Sequence, residues 1–254
     1  VIEFLEAGAA AIETFHAVED RADARIPLSS VRLLPPVPKP QKFLAIGMNY
    51  RAHADEATRL GIETPEYQIW FNKQVSCING PFDDVVKPNA TEKMDYEAEL
   101  GVVIGTRCRH VSADDARSVI GGYLVVNDVS ARDWQFRTGT MTLGKSFDTH
   151  GPIGPWLMLD DEIEDPHALE MRMFVNGDQR QSTSTNDMIH NIYEQIAYLS
   201  TVMTLEPGDI LATGTPSGVG VALDPPQFLE DGDVLRVEID GIGHIENRVV
   251  AEDV

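Results

Sequence analysis

Apolar and polar residues alternate most plainly near the C-terminus, where Leu235, Val237 and Ile239 fall on one face and Arg236, Glu238 and Asp240 on the other. A period of two is that of a half-buried strand. Asp240-Gly241 predicts a turn into a partner strand ending near Val250, together an antiparallel element at a sheet edge. Alternation or short apolar runs predict further strands at Phe43-Leu-Ala-Ile-Gly47, at Tyr67-Gln-Ile-Trp-Phe71, at Val85-Val-Lys-Pro88, from Asp95 to Ile104, from Tyr123 to Val129 and from Ile210. Met171-Arg-Met-Phe-Val175 runs into Asn176-Gly177, which predicts a hairpin with a type I′ turn. Helical spacing is rarer. The first fifteen residues read as an amphipathic helix, and Arg51 to Leu60 as a short helix stopped by Gly61 and Pro65. Ser112 reads as the N-cap of a helix to about Ile120, ended by Gly121-Gly122. Met188 to Leu205 reads as a helix opened by Asn186 or Asp187 and closed by Pro207-Gly208-Asp209. Pro27, Pro35, Pro36, Pro38 and Pro40 form a stiff connector ending at Lys42, which divides a small N-terminal segment, residues 1–41, from a main domain, residues 42–254. Strands outnumber helices without a regular βαβ rhythm, so the expected fold class is a strand-rich α+β.

Composition narrows the function. A chain of 254 residues with 43% hydrophobic content buries a sizeable core. Its 41 acids against 20 Lys and Arg give a net charge of -21. That field repels nucleic acid and anionic membrane surfaces, so neither is an expected partner. It also repels an anionic substrate unless a bound metal with a few Arg or Lys supplies a local cationic site. Cys77 and Cys108 have neither zinc spacing nor a disulfide framework, which fits a reducing compartment, and each reads as a small core residue. The first residues carry three Glu and no basic region, and no run approaches a membrane span, so the expected location is cytoplasmic.

The candidate chemistry starts at Asp95-Tyr-Glu-Ala-Glu99. In a strand, Glu97 and Glu99 point one way and Tyr96, Ala98 and Leu100 the other. Two readings stand: a sheet face meeting water, or paired carboxylates that join Asp128 from a neighbouring apolar run to hold a hard divalent ion such as Mg2+ or Mn2+. His53 and Glu56 lie three apart on a helix, either a solvated surface pair or a general base whose imidazole tautomer is set by the carboxylate. A helix so bounded, followed by a long loop, also suits a lid. Lys145, after Gly144 and between apolar segments, is a candidate anion contact. The run Thr213-Gly-Thr-Pro-Ser-Gly-Val-Gly220 lacks the Lys of a phosphate loop and the strand-turn-helix setting of a dinucleotide fingerprint, which excludes nucleotide binding. It suits close backbone approach to a ligand, with Thr215 as hydroxyl donor.

Five blocks, Gly47-Met-Asn-Tyr-Arg-Ala-His-Ala-Asp-Glu56, Asp95 to Glu99, Asn127-Asp-Val-Ser-Ala-Arg-Asp-Trp-Gln135, Gly144-Lys-Ser-Phe-Asp148 and Thr213 to Gly220, resemble the fumarylacetoacetate hydrolase family in order and spacing. The likeness covers about residues 40 to 250. It implies a mixed β-sandwich roll, a homodimer and one divalent metal per subunit. It places metal ligands at Glu97, Glu99 and Asp128, the lid dyad at His53 and Glu56, a catalytic Lys145, and substrate contacts at Arg132, Gln135, Gly214 and Thr215.

The resemblance further implies 2-oxo and 2,4-dioxo acid substrates, whose adjacent carboxylate and carbonyl oxygens suit chelation. The expected activity is a Mg2+- or Mn2+-dependent hydrolase that cleaves a C–C bond of an acylpyruvate-like 2,4-dioxo acid through a pyruvate enolate. In that scheme His53 activates a water and Lys145 or Gln135 stabilises the oxyanion. Oxaloacetate decarboxylation and 2-oxo acid isomerisation or hydration are the alternatives within the family. Outside it stands a non-catalytic acidic protein that binds calcium or a basic partner.

Overall fold

The predicted strands, joined by Ile78–Asn79 and Gly151–Leu159, which the apolar pattern did not mark, assemble into two mixed sheets packed face to face in the computed structural model, which describes residues 1–19, 25–59, 61, 63 and 65–253. The larger sheet runs Ile69–Lys73, Phe43–Gly47, Ile210–Ala212, Ala98–Ile104, Ile120–Asn127, Gly151–Leu159, Ile78–Asn79. The smaller runs Asp178–Ser184, Glu170–Val175, Val234–Ile239, Gly243–Ala251, Val85–Lys87. A two-stranded pair, Met94–Asp95 with Ser130–Ala131, stands apart. This is the strand-rich α+β architecture expected.

Alternation explains the layers. Leu100, Val102 and Ile104 join Tyr123 and Val125 in a core that also takes Met171, Met173, Leu235, Val237 and Ile239 from the smaller sheet and Ile192, Ile196 and Leu199 from a helix. The intervening residues, Val103, Leu124 and Val126, pack on the opposite face with Phe43, Phe71, Ile153, Leu5 and Val37. The larger sheet is therefore covered on both faces. Burial of each such side chain stabilises the fold by roughly 1.5–3 kcal/mol.

The hairpin at Asn176-Gly177 has both central residues at positive φ, 53° and 85°, as a type I′ turn requires. Other expectations are corrected. The C-terminal pair is no edge: Val234–Ile239 lies between Glu170–Val175 and Gly243–Ala251, which in turn pairs with Val85–Lys87. Alternation reports one wet face and is silent about neighbours. The N-terminal helix is two, Ile2–Glu6 and Ala9–Glu19, separated at Gly8 with φ 66°. Ser112 caps only a turn through the Asp115 amide at 3.2 Å, followed by the 3-10 turn Ala116–Val119, and Gly121-Gly122 lie inside a strand. A Cβ on Gly121 would stand 2.9 Å from the Gly105 Cα, so that glycine serves close strand approach. The long helix is Ile192–Val202. Its cap is Asn191, whose side chain accepts from the Glu194 amide at 3.0 Å while Glu194 accepts from the Asn191 amide at 2.9 Å. Asp187 instead accepts the Thr183 hydroxyl. The helix Arg51–Arg59 forms as expected; Leu60 lies outside the described residues.

Candidate active site

Strand register gathers the acids. Ala98 pairs with Asn127 and Glu99 with Val126, so Glu97 and Asp128 oppose one another one step beyond the ladder, where the Asp128 amide donates to the Glu97 carbonyl at 2.9 Å. Directly opposed residues share a face. On the other side Ala212 pairs with Gly101, which carries Gly214 level with Glu99, and the Gly214 amide donates to Glu99 Oε2 at 2.7 Å. Three ladder ends thus deliver Glu97, Glu99 and Asp128 to one spot. One carboxylate oxygen from each lies within 4.8 Å of the others, and all three residues are buried. Burial rules out the reading of Glu97 and Glu99 as a solvated sheet face.

Buried carboxylates need partners, and three cations supply them. Lys145 Nζ donates to Glu97 Oε2 at 2.7 Å and to Asp128 Oδ2 at 2.9 Å. Lys73 Nζ donates to Asp128 Oδ1 at 2.6 Å. Arg132 binds Glu97 Oε1 at 2.5 Å, Asp95 Oδ2 at 2.8 Å and Gln135 Oε1 at 2.9 Å. Burial opposes the Glu97 carboxylate, but Lys145 and Arg132 outweigh it and hold its pKa down to about 2. Glu99 differs. Burial, then the charges of Asp128 and Glu97, push it well above the ordinary carboxylate range. Burial also works against the Lys145 ammonium, and Asp128 and Glu97 overcome it. Three buried carboxylate oxygens gathered within 4.8 Å of one another make a donor set that fits a hard divalent cation.

On the helix Arg51–Arg59, Glu56 Oε2 pairs with His53 Nδ1 at 3.0 Å, and Glu56 Oε1 accepts the Gly218 amide at 3.0 Å. A carboxylate on Nδ1 assigns the proton to that nitrogen and leaves Nε2 as the basic lone pair. The turn 213–221 thereby grips three acids: Glu99 through Gly214, Glu56 through Gly218, and Asp95 through the amides of Gly220 at 2.8 Å and Val221 at 3.0 Å.

Of the residues singled out in the sequence, the structure joins Glu97, Glu99, Asp128, Lys145, Arg132, Gln135 and Gly214 in one network, with His53 and Glu56 tied to it through Gly218. Thr215 is buried beside Gly214, and its hydroxyl accepts from Gln181 Nε2 at 2.9 Å. Arg132 is buried against Asp95 and Glu97, with Nη2 left unpaired. Lys73, Asp95 and Gln181 escaped the sequence reading. Lys73 was detectable: it shares the core-facing side of its strand with Phe71, a place where an unpaired Lys is untenable. Asp95 and Gln181 carried no such signal, because their partners are backbone amides far away in sequence.

The fumarylacetoacetate hydrolase C-terminal family profile matches residues 42–250. The chain is 43% identical over 255 residues to the mitochondrial oxaloacetate tautomerase Fahd2a of Rattus norvegicus, covering 98% of this chain and 79% of that protein. Its fold matches the maleylpyruvate hydrolase of Sphingobium sp. SYK-6, solved with manganese(II) and pyruvate, with a TM-score of 0.83 and 35% identity over 99% of this chain and 87% of that one. It also matches a 5-carboxymethyl-2-hydroxymuconate delta-isomerase of Mycobacterium smegmatis, with a TM-score of 0.78 and 39% identity over 89% of this chain and 83% of that one.

Proposed function

The chain belongs to the fumarylacetoacetate hydrolase family of enzymes, and from that premise we propose that it catalyses enolisation of small 2-oxo acids at a divalent metal, with keto–enol tautomerisation of an oxaloacetate-type acid as its reaction. The observation that carries this reading is the cage formed by Glu97, Glu99 and Asp128, with Lys145 between two of its members. Glu97, Glu99 and Asp128 would hold Mg2+ or Mn2+. A divalent ion held there would supply Lewis acidity that favours enolisation of a 2-oxo acid.

The chain's own residues do the rest. His53 Nε2 removes a proton from the carbon next to the 2-oxo group, and Glu56 stabilises the imidazolium. As that C–H bond breaks, a C=C bond forms and the carbonyl electron pair moves to oxygen. Lys145 has two of its three N–H donors on carboxylates, and the third is free to face that oxygen. His53 then returns its proton to the oxygen, which completes the enol. Gln135 and Thr215 orient the substrate, and Arg132 keeps Glu97 ionised. The subunit is proposed to work as a homodimer in a reducing compartment, where free, buried Cys77 and Cys108 are stable.

The second reading is C–C hydrolysis of a 2,4-dioxo acid, with His53 activating water instead. The likeness to a maleylpyruvate hydrolase supports it. Parallel incubation with oxaloacetate and acetylpyruvate, with and without EDTA, separates the two. Metal-dependent loss of the oxaloacetate enol without pyruvate release supports tautomerisation, and pyruvate and acetate from acetylpyruvate support hydrolysis. No metal-dependent change in either substrate overturns both.

A further inference from the structure

Lys73 is the cation that no expectation included, and its surroundings define what it can do. Its side chain is wholly enclosed. The ammonium donates to Asp128 Oδ1 at 2.6 Å, to the Val129 carbonyl at 3.3 Å, and to the Lys145 carbonyl in a short bond. An ammonium has three donors, so all are taken and none is left for substrate. Lys145 is its opposite: two donors on Glu97 and Asp128, a third without an oxygen partner among the described residues, and Phe71 alongside with the ring centre 4.9 Å away. Lys73 therefore touches Lys145 twice, directly through the backbone carbonyl and indirectly through the shared carboxylate. It occupies one oxygen of Asp128, so only the other faces Lys145. It also anchors the peptide from which the Lys145 side chain springs.

We propose that Lys73 is a positioning residue: it fixes the orientation of Asp128 and the backbone at Lys145, and so aims the free donor of the Lys145 ammonium at the reacting oxygen. This rests on the enolisation reading above for the role of Lys145, but the brace itself is a statement about the protein without substrate. The segment carrying Lys145, residues 143–148, is built of turns rather than of a helix or strand, so its local order depends on such tethers.

The experiment is a double-mutant cycle of Lys73→Met and Lys145→Met, read by kcat and KM in the Mn2+-loaded enzyme and by amide hydrogen exchange of residues 143–148 in the metal-free protein. Lys73→Met is expected to lower kcat roughly a hundredfold, the scale on which a small misplacement of a catalytic group is felt, with little change in KM. In the Lys145→Met background it is expected to lower kcat no further. Exchange across 143–148 is expected to accelerate in Lys73→Met while the strand 98–104 keeps its protection. Multiplicative losses in the double variant, or unchanged exchange over 143–148, overturn the proposal. Should Lys73→Met not fold, Lys73→Arg, which keeps the charge but cannot set one nitrogen among three oxygens, carries the same readouts and expectations. If the wild-type protein binds Mn2+ yet turns over no 2-oxo acid, the enolisation reading fails, and the exchange result still decides whether Lys73 braces the segment.

Discussion

At the scale of single residues, the duties proposed for His53 and Glu97 are separable by experiment. His53→Ala is expected to lose about two to four orders of magnitude in turnover, the usual worth of a general base, while Mn2+ titration followed by electron paramagnetic resonance stays unchanged. Glu97→Ala is expected to lose the metal signal itself. His150 makes a prediction about stability. Burial first, then the charge of Lys73, hold its pKa down to about 3, against one hydrogen bond to the Val86 carbonyl. Above the ordinary histidine value of about 6.5 both folded and unfolded states carry it neutral, and it contributes nothing to the pH dependence. As pH falls from about 6.5 towards 3, only the unfolded chain takes up the proton, and stability declines by up to about 5 kcal/mol. Urea denaturation at a series of pH values should show this loss in the wild type and a shallower acid limb in His150→Gln. The acids and the His–Glu pair were readable because their spacing has a mechanical meaning on a strand or helix. Asp95 was not, since what identifies it is the amides brought to it by a distant segment; for Lys73 the strand pattern marks only an inward-facing cation, and the oxygens that define its role come from distant segments.

At the scale of elements, the ladder ends do the gathering, and the turn after Ala212 is the most constrained of them. Gly214 has φ 101°, and a Cβ there would stand 2.8 Å from the Asn49 Cβ. Gly214→Ala is expected to cost roughly 1–3 kcal/mol, the typical range for a strained backbone position. By pulling its amide off Glu99 it should also weaken Mn2+ binding, and isothermal titration together with urea denaturation measures both. Strands with strict alternation were legible throughout, as at Val234–Ile239. The helices were less so: Ser112 and Asn186 look like caps by residue type, but the Asn191 and Glu194 pair satisfies more orphan donors at once and decides where the helix starts.

At the scale of the whole molecule, a net charge of -21 surrounds a site proposed to receive an anion. Long-range repulsion slows encounter, and salt screens it, the Debye length shortening from about 30 Å at 0.01 M to about 8 Å at 0.15 M ionic strength. The expected outcome is that kcat/KM for a 2-oxo acid rises over that range while kcat stays level, as steady-state kinetics in an inert salt would show. No helix among the described residues is long and apolar enough to cross a membrane. Overall class and layering were readable from alternation, whereas sheet order was not, because pairing depends on which faces meet across the core rather than on any one strand.

One turn hands amides to Glu99, Glu56 and Asp95. A cage acid, the partner of His53 and the partner of Arg132 thus hang from a single suspension, and a shift in one tugs on the others. A ligand that draws on Glu99 would then be felt at the His53 and Glu56 pair through the same stretch of backbone.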